Sequence, residues 1–286
     1  MTRYGGVEAG GTKFVCAVGT GPDDLSDRVR IPTTTPDETL GKVAEYFASR
    51  PVEAVGIATF GPVETRRLHP EYGRITTTPK QGWEGADLVG AVRSVLDVPV
   101  TVDTDVNGAA LAEARWGSGA GRHNVLYVTV GTGLGGGAVI GNRPLVGLVH
   151  PEMGHVSVER LDGDHFPGIC PFHHDCLEGM ASGPAMQQRW GKPADELSSD
   201  LEDALEIEAH YLAAGFRQFV FTLAPEVIVM GGGVSHLPGL HDRVNRRLVG
   251  MMAGYAVQPE HRAGFVVPPG LGDDAGIAGA LALAAG

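Results

Sequence analysis

The chain has 286 residues, 43% of them hydrophobic, which suffices for a sizeable core and for two domains. No apolar run of about 18 residues is present and the first residues lack a leader-like apolar stretch, so a membrane span is excluded and a soluble cytoplasmic protein is expected. A formal net charge of −12 with no basic run argues against nucleic acid as partner, and three cysteines, an odd number, argue against a disulfide framework.

In chain order, the first predicted elements are two strands around a glycine loop. Tyr4 to Val7 form a short apolar run, Gly10, Gly11, Thr12 and Lys13 follow, and Phe14 to Val18 continue as a strand in which Cys16 reads as a small buried residue. Glycine lets the backbone approach a ligand closely and aim consecutive N–H groups at anionic oxygens. The Thr12 hydroxyl suits a phosphate oxygen or serves as a β-former, and Lys13 reads as a phosphate contact or as a solvated strand residue.

Residues 98–117 predict a buried strand running into a helix of strong formers. Asp103, Asp105 and Asn107 crowd the junction. One of Asp105 and Asn107 would cap the helix, and a carboxylate placed there can take the proton of a substrate hydroxyl as it attacks a phosphoryl group.

Residues 128–140 repeat the plan of residues 7–18: strand, glycine-threonine loop with Thr132 and Gly133, strand. Two such loops could pinch the phosphates of a nucleotide. Neither is a Walker loop, and neither leads into a helix as a dinucleotide fingerprint must.

Between Glu152 and Glu178 stand His155, Cys170, His173 and Cys176, the ligand set of a closed tetrahedral zinc site, with His165 and His174 as the alternates. Four good ligands favour a structural ion over a hydrolytic one, which keeps a position for water. Farther on, Pro184 follows Ser182 at a helix start, residues 193–222 carry a core helix, and Gly231, Gly232 and Gly233 follow the apolar strand 227–230. A capping aspartate and an alanine-leucine run close the chain. The reading is two α/β domains, 1–117 and 118–272, with helix 273–286 returning to the first and the crevice between them as the default site.

These motifs together resemble the ROK family of bacterial sugar kinases, and its fructokinase branch most closely. The resemblance spans nearly the whole chain and rests on residues 8–13, 103–107, 131–137, 151–155, the Cys/His cluster and 231–234. It implies an α/β, two-domain actin-like and ribonuclease H-like ATPase fold with an interdomain active-site cleft, and phosphorylation of a hexose, fructose first, with ATP and Mg²⁺. Asp105 matches the family's base; Asn107, Glu152, His155 and Glu178 match its sugar contacts; His155, Cys170, His173 and Cys176 match its zinc ligands. The glycine loops and Pro184 match its nucleotide site, and a homodimer is implied.

Two departures point within the family. Thr104 stands where many glucokinases and amino-sugar kinases have asparagine, and the cluster is Cys-x-x-His-x-x-Cys rather than their cysteine-richer form. Glu8 replaces the usual aspartate near the magnesium-phosphate region. A glucokinase or mannokinase of broader range, or an inactive sugar-binding protein, are the alternatives. A ROK repressor would need a helix-turn-helix ahead of a phosphate loop that here begins within the first ten residues.

Overall fold

The computed structural model describes residues 3–78, 80–198 and 200–286. The order is β1 (Tyr4–Ala9), β2 (Lys13–Gly19), β3 (Ser26–Pro32), α1 (Pro36–Ala48), β4 (Ala54–Thr59), α2 (Leu88–Arg93), β5 (Val100–Thr104) and α3 (Asp105–Trp116). Then come β6 (Val125–Val130), β7 (Leu134–Ile140), β8 (Arg143–Pro144), α4 (Leu177–Ala181), α5 (Gly183–Trp190) and α6 (Leu201–Leu223). The chain ends with β9 (Val227–Gly231), α7 (Leu240–Met251), α8 (Pro259–Arg262), β10 (Val266–Val267) and α9 (Ala275–Ala285). Among the described residues no helix is long and apolar enough to cross a membrane.

Two units emerge. One comprises Met1–Gly121, Gly137–Pro151 and Gly270–Gly286, and the other Arg122–Gly136 and Glu152–Pro269. The sequence reading did not place Gly137–Pro151 with the first unit. Its place there follows from hydrogen bonds that Ala138 and Leu145 make with the Asn107 amide.

The first unit holds a mixed sheet in the order β3-β2-β1-β4-β5. Tight reversal at Gly10–Thr12 makes β2 antiparallel to β1, whereas β4 and β5 run parallel to β1 after longer crossovers. All six residues of β4 are buried, the pattern of a strand covered on both faces. One cover is α9, an alanine-rich helix apolar all round that packs on α3, β1 and β4. Contact is backbone-close: a Cβ on Gly56 would lie 1.9 Å from the Ala280 carbonyl oxygen. Gly56→Val is therefore expected to destabilise the protein by about 3 kcal/mol or more, measured by urea unfolding. Elsewhere in this unit Phe14, Phe47, Ile57 and the fully buried Trp83 form a core with Cys16, whose thiol burial pushes up to about 12.

In the second unit β10, β9 and β6 run parallel, and β7 follows β6 in the same sheet. The long core helix expected within 193–222 starts only at Leu201, because Pro193 leads into a short turn that closes from Leu197 N to Ala194 O. Its Tyr211 hydroxyl donates to Asp164, which also pairs with Arg189 at 2.7 Å. Burial pushes the Asp164 carboxyl up, but the Arg189 and Tyr211 hydrogen bonds outweigh it and hold the group at about 2. An unfolded aspartate titrates at about 3.9. Since the folded value is the lower one, the stabilisation is present above about pH 4 and is lost as pH falls toward 2, on the order of 2 kcal/mol. Asp164→Asn should flatten that part of the acid-unfolding curve.

Candidate active site

The β5–α3 junction presents Asp105 at the first helical position. Capping falls to Thr104, whose hydroxyl accepts from Asn107 N at 3.2 Å, and not to Asp105 or Asn107. That assignment relieves Asp105 of the cap. Its side chain is exposed, accepts from Val106 N at 2.9 Å, and sits where the helix dipole favours negative charge.

Asp103 and Asn107 lie beneath it, both buried. Asp103 Oδ1 accepts from Thr104 N at 2.7 Å and from Asn107 Nδ2 at 2.9 Å. Burial pushes the Asp103 carboxyl up, against these hydrogen bonds and the nearby His150. Asn107 also donates to Leu145 O at 3.2 Å and accepts from Ala138 N at 3.2 Å. Both Nδ2 donors are thus engaged within the junction, and Oδ1 keeps a second acceptor position for a sugar hydroxyl.

Gly10 to Lys13 form a hairpin tip, exposed from Gly11 to Lys13 and closed by Gly10 N donating to Lys13 O at 3.0 Å. Beside it Glu8 is pushed up by burial, further by the Asp105 and Asp274 carboxylates, and down by Lys13 and Arg28. This is an acidic neighbourhood that a divalent cation would relieve.

In the second unit the four predicted metal ligands converge. A left-handed turn at His174, with φ 56°, closes a backbone pair between Cys170 and His174 and brings Cys170 and His173 together. Pairing of Ser157 with Cys176 draws in His155. The ligand atoms lie within 4.8 Å of one another, and His165 and His174 are not among them. Sulfur-to-nitrogen distances are 3.6 to 3.8 Å, all to Nδ1. A tetrahedral zinc with ordinary bond lengths separates sulfur from nitrogen by about 3.6 Å, so the set fits that ion. Burial pushes the Cys176 thiol up to about 11, a direction that a bound dication reverses by taking the thiolate. With Nδ1 on the metal side, Nε2 of His155 is left for another partner.

Glu178, two residues after Cys176, lies in the first turn of α4 and accepts from Leu134 N at 3.0 Å, at the foot of the second glycine loop. Glu152 precedes His155 by one short turn and is exposed.

The same unit contains a cavity of about 840 Å³, the size of small-molecule sites. Thr132, Pro184 and Gly233 line it, together with Gln187 and His236, which the sequence reading missed. Gly183 N donates to Gly131 O at 2.8 Å, tying the start of α5 to the loop. Gly232 holds φ 88°, and a Cβ there would lie 2.4 Å from Val130 O, so only glycine fits. Gly133 faces the Glu178 carboxylate.

The buried carboxylate of Glu113 carries no local signal in the sequence. Glu113 accepts from Ser118 N, Gly270 N and Leu271 N at 2.7 to 3.0 Å, pinning the chain where it leaves and re-enters the first unit. In the sequence it is one more helix former.

Comparison with known proteins adds to this geometry. A family model described as the ROK family matches residues 4–286. The fructokinase of Zymomonas mobilis subsp. mobilis is 44% identical over 289 residues, covering 98% of this chain and 96% of that protein. Among solved structures, a ROK hexokinase from Thermus thermophilus superposes with a TM-score of 0.82 at 28% identity, covering 99% of this chain and 98% of that one. A ROK family glucokinase from Streptomyces griseus, in complex with glucose and AMPPNP, does so with a TM-score of 0.76 at 27% identity, covering 99% of both chains.

Proposed function

The chain belongs to the ROK family, and from that premise we propose that it is an ATP-dependent fructokinase that makes fructose 6-phosphate with Asp105 as general base. The observation that carries the reading is an exposed carboxylate at the first position of α3, relieved of capping by Thr104. Asp105 would orient the sugar hydroxyl and accept its proton as the hydroxyl oxygen bonds to the γ-phosphorus of ATP and the bond to ADP breaks. Val106 N would hold one oxygen of that carboxylate, and Asp103 with Asn107 would fix the strand–helix junction that presents it.

The remaining roles follow from chemistry at each position. Gly10, Gly11, Thr12 and Lys13 of the first unit would bind phosphate oxygens; in the second unit Thr132 and Gly133 would do so too, and the cavity beside Pro184 and Gly231 to Gly233 would hold the adenosine. Mg²⁺, held with the phosphates near Glu8, would supply charge neutralisation on the transferring group. Glu152, Glu178 and the Nε2 atom of His155 would accept or donate hydrogen bonds to sugar hydroxyls. Zinc on His155, Cys170, His173 and Cys176 would brace these groups and take no part in the transfer. A cytoplasmic homodimer completes the proposal.

An ADP-release assay over fructose, mannose, glucose and N-acetylglucosamine tests it. Fructose should give the highest kcat/KM. A higher value for glucose, or no turnover with any hexose, would remove the fructokinase reading.

A further inference from the structure

The tip of the first glycine hairpin offers donors and no unused backbone acceptor at residues 10–13. Gly10 O accepts the Thr33 hydroxyl at 2.7 Å, Thr12 O accepts Thr33 N at 3.0 Å, and Lys13 O accepts Gly10 N. Gly11 O accepts Lys80 Nζ at 2.6 Å. Among the described residues, the N–H groups of Gly11 and Thr12 and the Thr12 hydroxyl have no hydrogen-bond partner. An array of that polarity suits anionic oxygens.

Lys80 is held over this tip by its own loop. Three residues on, Trp83 is fully buried, donates from Nε1 to Thr34 O at 2.9 Å, and packs against Phe14 and Phe60. Trp83 N in turn donates to Lys80 O at 3.2 Å. The four lysines of the chain divide clearly. Lys42 and Lys192 pair with Glu38 and Asp200 at 2.7 and 2.8 Å, whereas Lys13 and Lys80, both at the hairpin, form no ion pair among the described residues.

A carbonyl can be braced by any neutral donor. An ammonium carries three N–H groups, of which the Gly11 carbonyl takes one. We propose that Lys80 is a phosphate-binding residue whose remaining donors contact the β- or γ-phosphoryl oxygens of ATP. The proposal rests on the kinase reading above. It adds to the hairpin a cation from a loop 69 residues away, outside every glycine motif.

Calorimetric titration of Lys80→Gln and Lys80→Met with AMPPNP and with AMP, in the absence of sugar, tests it. Glutamine can still donate to Gly11 O but carries no charge. Both variants should lose about tenfold or more in AMPPNP affinity with AMP affinity unchanged, and Lys80→Arg should recover part of the loss. A Lys80→Gln protein with wild-type AMPPNP affinity makes the lysine a brace only and overturns the proposal. Equal weakening of AMP and AMPPNP, or a wild type that binds no AMPPNP, overturns it as well. A wild type that shows the expected pattern yet phosphorylates no hexose would remove the fructokinase reading and leave Lys80 as a phosphate site.

Discussion

Asp105→Asn is expected to lower kcat by about 10²- to 10⁴-fold while fructose and AMPPNP still bind, because only the proton acceptor is removed. The substitution keeps shape, and an amide oxygen can still accept from Val106 N as the carboxylate does. Thr104 continues to cap α3, so the helix loses no more than the charge–dipole attraction, about 0.3–1 kcal/mol. Asp103 and Asn107 remain bonded to each other beneath it. The deficit should therefore appear in kcat and not in KM or in thermal stability. A variant within tenfold of wild-type kcat would take the base role from Asp105.

Cys176→Ser is expected to have the second largest effect. The segment from Glu152 to Cys176 contains little regular structure beyond a short turn at Met153–His155; backbone bonds such as Leu177 N to Val156 O and side-chain bonds such as those of Asp164 with Arg189 and Tyr211 hold it beside the metal ligands. Structural zinc sites contribute roughly 10–16 kcal/mol of apparent binding free energy, much of which is ordering of the chain that holds the ion. Cys170 and Cys176 are the buried members of the cluster, and a serine at 176 leaves a poor ligand there. Metal analysis should find zinc in the wild type and little in the variant, with faster proteolysis within 156–175. Because Glu152 and Glu178 flank the cluster, KM for fructose should rise by about tenfold or more, with a smaller change in kcat. In metal-free wild-type protein, which keeps all four ligands, adding back zinc or cobalt should restore the fructose KM. Unchanged fructose KM in metal-free protein would detach the cluster from the sugar.

What could be read from the sequence divides along physical lines. Both glycine hairpins were legible because apolar runs interrupted by Gly-Gly and Gly-Thr mark a strand reversal locally. The strand-to-helix switch at residues 98–117 was legible for the same reason, as a change of hydrophobic period. The metal cluster was legible from spacing, and all four ligands converge as expected.

Features missed by the sequence reading depend on partners distant in the chain. Lys80 meets Gly11 across 69 positions, Ala138 meets Asn107 across 31, and Gly270 meets Glu113 across 157. No local pattern carries such contacts. Thr104 is a different case: a threonine before a helix is an ordinary N-cap signal, and the neighbouring acid and amide concealed it. Recognising it would have shown from the sequence that Asp105 is not needed as a cap.

Transfer of the γ-phosphoryl group of ATP to the 6-hydroxyl of fructose is the reaction expected of this chain. Phosphorus NMR of a reaction containing protein, ATP, Mg²⁺ and fructose tests it most directly. ADP and fructose 6-phosphate should appear in equal amounts. Fructose 1-phosphate as product, or ADP released with inorganic phosphate and unaltered fructose, would contradict it.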